Sequence, residues 1–505
     1  QEQDKISNLQ TMMLSEKNRN RASDSSTTEL QHLLDKYCFE IELPSYPPTR
    51  TQSSPSLRSV GDDQQAAAAS WTQQDTENAL QNLPYDIHLG VKLYHTNPIH
   101  RIHTACQSSN KLFIDHEFCV AEGSEVRIRE DVCTPGIITP QNVDDFVNSG
   151  EPKRVARIDH FTSKARRSTN TTTTSVWTWK RGSSMPGKKI FSSSPKAQNV
   201  VQGKVGNCGF CSGFASLAAH FPNIIENAFH GTVENTIMES VGAISVRIYP
   251  GGKERFILLD DYLLCLSDSS TSPALHSLDE NDLWIRILEK VFVKLQSSYA
   301  SLDGYYKYNS LYRHPARALQ LISNAPIALE LHYTVQQVDE IYNTLLSTEK
   351  KYLLVAHGRK AVKGLFRGHG YSLLWVGEIA GIRLVLLRNP HGNKSYTGEF
   401  GRGCDSWSGS DATSVENELE NNMMTTSLDT VRSLFLSTKG GNDDGIFLMR
   451  FGVFVECFPI TTFVGPISES GEPVVLDEFV VKDSLYRLPT EQLKVAESLF
   501  EVAER

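Results

Sequence analysis

The chain has 505 residues, 39% of them hydrophobic and 22% charged, with 33 glycines and 21 prolines. That length carries roughly two to four domains and enough apolar surface for a large core. Fifty Lys and Arg against 59 Asp and Glu leave a net charge of −9, which argues against general binding of nucleic acid or anionic membrane. No apolar run reaches the roughly 18 residues of a bilayer-spanning helix, so no membrane span is expected. The polar opening from Gln1 does not read as a secretory signal. Nine scattered cysteines, an odd number, do not make a secreted disulfide framework. A cytoplasmic, reducing environment is the expectation.

In chain order, residues 1–80 lack sustained apolar periodicity and carry a Ser/Gln/Ala tract at Gln52–Ser70. They read as mostly disordered, with one brief helix around Leu30–Leu43. Residues 81–165 read as a small β-rich module, from strand-like runs at Lys111–Ile114, Glu125–Ile128 and Gly136–Ile138. This module holds His95, His100, His103, Cys106, His116 and Cys119, a density that suits zinc but in no standard ligand spacing. No metal or cofactor is expected. Between Lys153 and Lys189 there are ten Lys/Arg and one acidic residue, Asp159, so a solvated stretch is expected, with a Ser/Thr-rich linker at 166–175.

From 176 to 463 the pattern is that of a folded core. Val205–Ala219 predicts a helix beginning near Asn207 or Cys208. Ile244–Tyr249 and Arg255–Leu259 predict a hairpin about Pro250-Gly251-Gly252-Lys253. Asp282–Tyr299 and the stripe Val335, Val338, Ile341, Tyr342, Leu345 predict amphipathic helices. Strands are predicted at Tyr371–Glu378, Ile382–Leu387 and Ile446–Glu456. The last segment, 464–505, reads as a connector and a helix over Thr490–Ala503, with Thr490 as N-cap.

One stretch carries chemistry: Gln202-Gly203-Lys204-Val205-Gly206-Asn207-Cys208. A cysteine in a helix's first turn faces unpaired N–H groups and the positive end of the dipole, and both favour thiolate. A glutamine just upstream can set its amide beside the Cys208 N–H, giving two donors for a developing oxyanion. A thiolate nucleophile also needs a base and a group to orient that base. Gly368-His369-Gly370-Tyr371 opens one strand and Arg388-Asn389-Pro390-His391-Gly392 closes the next. If the two pair about Ala380-Gly381, residue 369 lies opposite residues near 390 to 392, within reach of Asn389. The set is a Cys–His–Asn arrangement. Cys208-x-x-Cys211 also looks like a redox dithiol, but that fold needs an apolar strand just before it. A reversible Cys208–Cys211 disulfide is a second way this pair could matter.

At these residues the chain resembles the calpain family of cysteine proteases. The family's Gln-Gly…Gly-(Asp/Asn)-Cys, Gly-His-(Ala/Gly)-Tyr-Ser and Arg-Asn-Pro-Trp-Gly segments correspond to Gln202–Cys208, Gly368–Ser372 and Arg388–Gly392. Further similarity lies in Trp177–Arg181, Leu258–Asp261, Leu288–Lys290 and Asp443–Met449. The resemblance implies an α+β, papain-like fold of two subdomains, a helical one at 176–312 and a β one at 313–463, with a cleft between. It implies Cys208 as nucleophile, His369 as base and acid, Asn389 as orienter, Gln202 as oxyanion donor and Gly368 lining the substrate groove. The activity implied is limited proteolysis of flexible protein segments. The alternative is a catalytically silent homologue that serves as a scaffold.

The chain departs from the family pattern at informative places. Gly209 stands where an aromatic residue usually follows the cysteine, and His391 replaces the tryptophan after Asn-Pro. Three acidic positions of the family's calcium sites are Asn199, Ala300 and Ile446, so weak or absent calcium dependence of the core is expected.

Overall fold

The computed structural model describes most of residues 70–118 and 174–467, the longer gaps being 296–301, 303–314, 402–409, 422–430 and 432–443. For β1 (Phe39–Glu40), β4 (Glu125–Arg129) and β17 (Tyr486–Pro489) it describes the backbone alone.

Order among the N-terminal residues begins before residue 80. Trp71 and Leu80 are buried on either side of α1 (Gln73–Ala79), whose Thr72 and Asp75 form a reciprocal capping box. The helix buries none of its own residues, so its Gln-rich sequence carries no apolar stripe to read. β2 (Tyr85–His88) and β3 (Val91–Tyr94) form a hairpin, and α2 (Ile99–Ser109) follows. The expected β-rich module is thus part helix where it is described, and Lys111–Ile114 joins no strand. Nor does it stand apart. Tyr94 pairs with Phe256 of the core, and Trp71, Ile102 and Phe113 share a buried cluster with Ile237, Ala243 and Leu258. Phe39 and Glu40, expected within a helix, are strand.

The core follows. β5 (Thr174–Arg181), the two-residue β6 (Val200–Val201) and α3 (Cys208–His220) lead to α4 (Pro222–Ala228) and α5 (Ile237–Val241). β7 (Ala243–Ile248) and β8 (Arg255–Asp260) form the expected hairpin, and β9 (Tyr262–Leu266) and β10 (His276–Ser277) follow. Next come the amphipathic α6 (Trp284–Leu295), α7 (Pro315–Ser323), β11 (Ile327–His332) and α8 (Val338–Thr348). The remainder is β12 (Leu353–Gly358), β13 (His369–Ile379), β14 (Ile382–Arg388), α9 (Ser410–Asn421), β15 (Ile446–Arg450), α10 (Phe451–Cys457) and β16 (Ile460–Gly465). The chain is therefore a mixed helix-and-sheet protein.

One sheet of eight strands dominates the later part, in the order β1-β17-β11-β16-β12-β13-β14-β15. The 464–505 segment is thus more than a connector, since Tyr486–Pro489 runs parallel to β11 as a sheet strand. Thr490–Ala503 lies outside the described residues. Ile446–Glu456 is a strand only as far as Arg450. Beyond it Phe451, Phe454 and Val455 recur at helical spacing and bury one face of α10 against the sheet. A continuous apolar run does not distinguish these two outcomes by itself.

Buried charge ties the pieces together. Arg181, expected in a solvated basic stretch, is buried against Asp261 with an Nη1–Oδ1 distance of 2.7 Å. Lys290 and Lys294 point inward from α6, the first to Asp260 and the second to both oxygens of Asp115 at 2.9 and 2.8 Å. The backbone N–H of Asp115 donates to Asp260 Oδ2 at 3.0 Å, which closes the network between the N-terminal segment and the core. Replacing Lys294 by Met leaves Asp115 uncompensated in a dry site. We expect urea unfolding of K294M to lose about 3–5 kcal/mol, and D115N/K294M to recover much of that loss.

Candidate active site

α3 is the central helix of the site. Every residue from Cys208 to Ala218 is buried. Small side chains make this possible: Gly213 lies against Leu319 of α7 so closely that an added Cβ would sit 3.0 Å from its Cδ1. Cys208 is the first helical residue and Asn207 the N-cap. The helix is carried directly onto β13. The N–H of Gly370 donates to Cys208 Sγ at 3.3 Å, and Ser372 Oγ donates to the Ser212 carbonyl at 2.8 Å. Gly370 meets Gly209 backbone to backbone, and a Cβ on it would lie 3.0 Å from Gly209 Cα.

The β13–β14 hairpin turns through Ala380 and Gly381, both at positive φ (52° and 75°), a two-residue loop that matches strand twist. Pairing runs in step from Ile379 opposite Ile382 to Trp375 opposite Leu386. One extra residue in β13 then shifts it, so that Leu373 faces Leu387 and Ser372 faces Arg388. The bulge flips the side-chain faces. Tyr371, Leu373 and Val376 pack in one core cluster, while Leu374 and Trp375 both pack in the other.

This register brings His369, Asn389 and His391 together. His369 Nε2 and Asn389 Oδ1 are 3.0 Å apart. The amide orientation is fixed independently: Asn389 Nδ2 donates to the Asn393 carbonyl at 3.2 Å and Oδ1 accepts the His391 N–H at 3.1 Å. Oδ1 being an acceptor, His369 Nε2 carries the hydrogen and the lone pair of the neutral ring is on Nδ1. Asn389 is held in turn by Gly445, whose carbonyl accepts the Asn389 N–H at 2.9 Å. Gly445 has φ +83° and approaches so closely that a Cβ would lie 2.5 Å from the Asn389 carbonyl oxygen, so no other residue fits there.

The imidazole of His369 sits in an aromatic box. His391 stacks on it at 4.6 Å and 10°, and the rings of Phe366 and Tyr371 meet it edge-on at 5.6 and 5.0 Å. Burial pushes its pKa down to about 3, the His391 ring adds to this, and the bond to Asn389 opposes it. The ring is thus neutral, a proton acceptor. His391 fills the space beside the imidazole with a smaller, titratable ring than the indole expected at this point.

Gln202 is buried beside the same segment. Its N–H donates to the Pro390 carbonyl and its Nε2 to the Val205 carbonyl, each at 2.8 Å, while Oε1 has no hydrogen-bond partner among the described residues. Gly368 donates its N–H to the Gly358 carbonyl at 2.7 Å, at the entry to β13. Cys211 turns its sulfur to Asn207 Oδ1 at 3.5 Å, whereas the Cys208 sulfur faces Gly370. Neither sulfur is in a disulfide, and burial raises the Cys211 thiol well above its ordinary range.

Sequence reasoning passed over Glu289. It is buried on α6, with Oε1 accepting from Asn207 Nδ2 at 2.8 Å and Oε2 from the Leu275 N–H at 3.1 Å. Burial pushes this carboxyl up to about 7, with both hydrogen bonds opposing. It falls in the family-like segment Leu288–Lys290, and its place on an amphipathic helix gave the physical hint: a carboxylate on the apolar face between Ile285, Leu288 and Phe292 must have a partner. Of the candidate zinc residues Cys119 lies outside the described residues, and the described ones do not gather. His103 meets Ser240, His116 the Trp71 carbonyl and His95 Asp86, while Cys106 is buried in α2. Among the described residues no three of His, Cys, Asp and Glu form a metal-binding group.

Since the pKa of His369 is depressed, the unfolded chain binds a proton that the folded one does not between about 6.5 and about 3. Its contribution to stability is present above that window and is lost as pH falls through it. In H391F, which keeps a stacked ring and removes the like charge, NMR titration should find His369 shifted upward. An unchanged titration would assign the whole depression to burial.

A family model of calpain family cysteine proteases matches residues 158–459 of the 505. The rice protein named calpain-type cysteine protease ADL1 is 27% identical over 232 residues, 43% of this chain and 10% of that protein. A Schistosoma mansoni calpain is 26% identical over 243 residues, covering 45% of this chain and 31% of its own. Calpain-5 of Caenorhabditis elegans is 26% identical over 319 residues, 55% of this chain and 45% of the relative. The matched segment therefore spans between a tenth and a half of these relatives' lengths. With a family model spanning more than half its residues, and carrying the segments about Cys208, His369 and Asn389 in family order, the chain belongs to the calpain family of cysteine proteases.

Proposed function

We propose that the chain is an active cysteine endopeptidase that performs limited proteolysis on flexible segments of other proteins. The observation that carries this reading is the Asn389 amide, locked by its own backbone partners so that His369 must donate through Nε2 and keep its Nδ1 lone pair. Such a ring accepts a thiol proton and later returns it. In the proposed mechanism His369 takes the proton of Cys208, and the thiolate adds to the peptide carbonyl carbon. The carbonyl oxygen takes up the electron pair and receives hydrogen bonds from the Cys208 N–H and the second hydrogen of Gln202 Nε2. As the C–N bond breaks, His369 protonates the leaving amine. A water deprotonated by the same ring then cleaves the thioester. Gly368 lines the groove that holds the extended substrate, between a helical part at 176–312 and a β part at 313–463.

Among the described residues five buried cysteines are in no disulfide, which supports a reducing compartment, for which we propose the cytoplasm. The residues at the family's calcium positions do not fit that ion. Asn199 donates to Asp282 Oδ2 at 3.3 Å, and Ile446 is buried in β15. Calcium takes six to eight oxygens, several from carboxylates, so no step is routed through it.

Two outcomes test the proposal. Hydrolysis of an unfolded protein substrate should vanish in C208A, fall by on the order of 10²–10⁴ in H369A, and fall less in N389A with little change in KM. Wild-type protein that hydrolyses nothing and fails to react with an electrophilic epoxide would leave the scaffold reading in its place. Separately, hydrolysis in excess EDTA and in millimolar calcium should agree within about twofold, since replacing three carboxylates with neutral groups weakens calcium binding severely. A steep calcium requirement would overturn that part.

A further inference from the structure

An asparagine at an N-cap ordinarily turns its side-chain oxygen back onto the N–H groups of the first helical turn. Asn207 does not: α3 has no side-chain cap. Its Nδ2 is drawn across to Glu289 on α6 and its Oδ1 receives the Cys211 thiol. Glu289 is fixed in its own right by the Leu275 N–H. Its other neighbours are Arg286, one turn back on α6, and Cys211 from α3. The same connection reaches the candidate oxyanion donor. The Asn207 N–H and Gln202 Nε2 converge on one acceptor, the Val205 carbonyl, at 2.9 and 2.8 Å.

We propose that Glu289 is a positioning residue: by holding the Asn207 side chain away from the helix it leaves the first turn of α3 uncapped, so that its N–H groups act on the Cys208 sulfur and on the oxyanion. The inference rests on Cys208 being the nucleophile. Anions and thiolates are favoured at a helix N-terminus because those N–H groups lack partners, and a capping oxygen competes for the same donors. Asparagine supplies the donor that Glu289 needs and the acceptor that Cys211 needs from one neutral side chain.

The test is iodoacetamide alkylation of Cys208 in the full chain, followed by mass spectrometry across pH, with KM and kcat measured on the same preparations. In E289L the released Asn207 caps the helix. Alkylation at neutral pH should slow about tenfold and its pH midpoint rise, with kcat falling and KM unchanged. In E289L/N207A nothing can cap, and the alkylation profile should return to within about threefold of wild type. A purely structural role for Glu289 predicts the opposite, because the double variant removes more packing. If E289L does not fold, E289Q replaces it, having one acceptor for two donors, and it too should be slowed and be restored by N207A. An alkylation profile in the Glu289 variant that coincides with wild type, or a double variant that is not restored, overturns the inference. Rapid wild-type alkylation without any hydrolysis would instead defeat the protease reading and leave this one standing.

Discussion

Where the first turn of α3 meets the opening residues of β13, two glycine backbones touch with no side chain between them. Gly370 has room for no Cβ against Gly209 without displacing main chain. Main chain does not yield as the tip of a flexible side chain does, so the two elements have one separation. That separation lets the Gly370 N–H reach the Cys208 sulfur, and it brings Ser372 to the Ser212 carbonyl two residues further on. An aromatic residue at 209 would have to turn aside from Gly370. A helix packed on a strand usually holds position through interdigitated side chains and tolerates some sliding. Here the contact is closer and less forgiving, and it sits where Cys208 meets the opening residues of β13.

The second constraint is register. The Ala380-Gly381 turn sets the pairing of β13 with β14 at one end, and the bulge at Leu374 resets it before the other. Without that extra residue His369 would move by one pairing position, and in a pleated strand a one-residue slip exchanges the two faces. The bulge also serves the core. It lets Leu374 and Trp375 fill the side covered by α9 while Tyr371 and Leu373 stay with α8 and α10. One local irregularity satisfies both the packing of the distal strand and the aim of the imidazole.

Much of this could be read from residue order. The helix start at Cys208, the β7–β8 hairpin, the centre of the β13–β14 turn and the adjacency of His369 to Asn389 follow from turn chemistry and strand arithmetic. Other features depend on partners distant in the chain. α1 buries none of its own residues and is held by flanking Trp71 and Leu80, which pattern reading cannot credit to a Gln-rich stretch. Phe451–Cys457 and Ile446–Arg450 form one apolar run, and only packing against the sheet decides where strand ends and helix begins. Arg181 looked like a member of a basic stretch because its partner, Asp261, lies 80 residues away. Glu289 was hidden for the opposite reason, as one polar residue in an otherwise apolar stripe.

The charges around the candidate site follow a single logic. His369 is buried, its hydrogen-bond partner Asn389 is neutral, and the ring stacked on it is another imidazole. A carboxylate in place of Asn389 would stabilise imidazolium and compete with the thiolate for its role as counter-ion. An amide fixes the tautomer without doing so. One buried carboxyl, Glu289, meets Asn207, the neutral residue that precedes Cys208. In the proposed mechanism, negative charge formed on Cys208 or on a tetrahedral oxygen would meet backbone N–H groups and the imidazolium formed with it. Low dielectric strengthens each of those interactions. What burial takes from the resting imidazolium would, in that mechanism, be returned once a thiolate is there to pair with it.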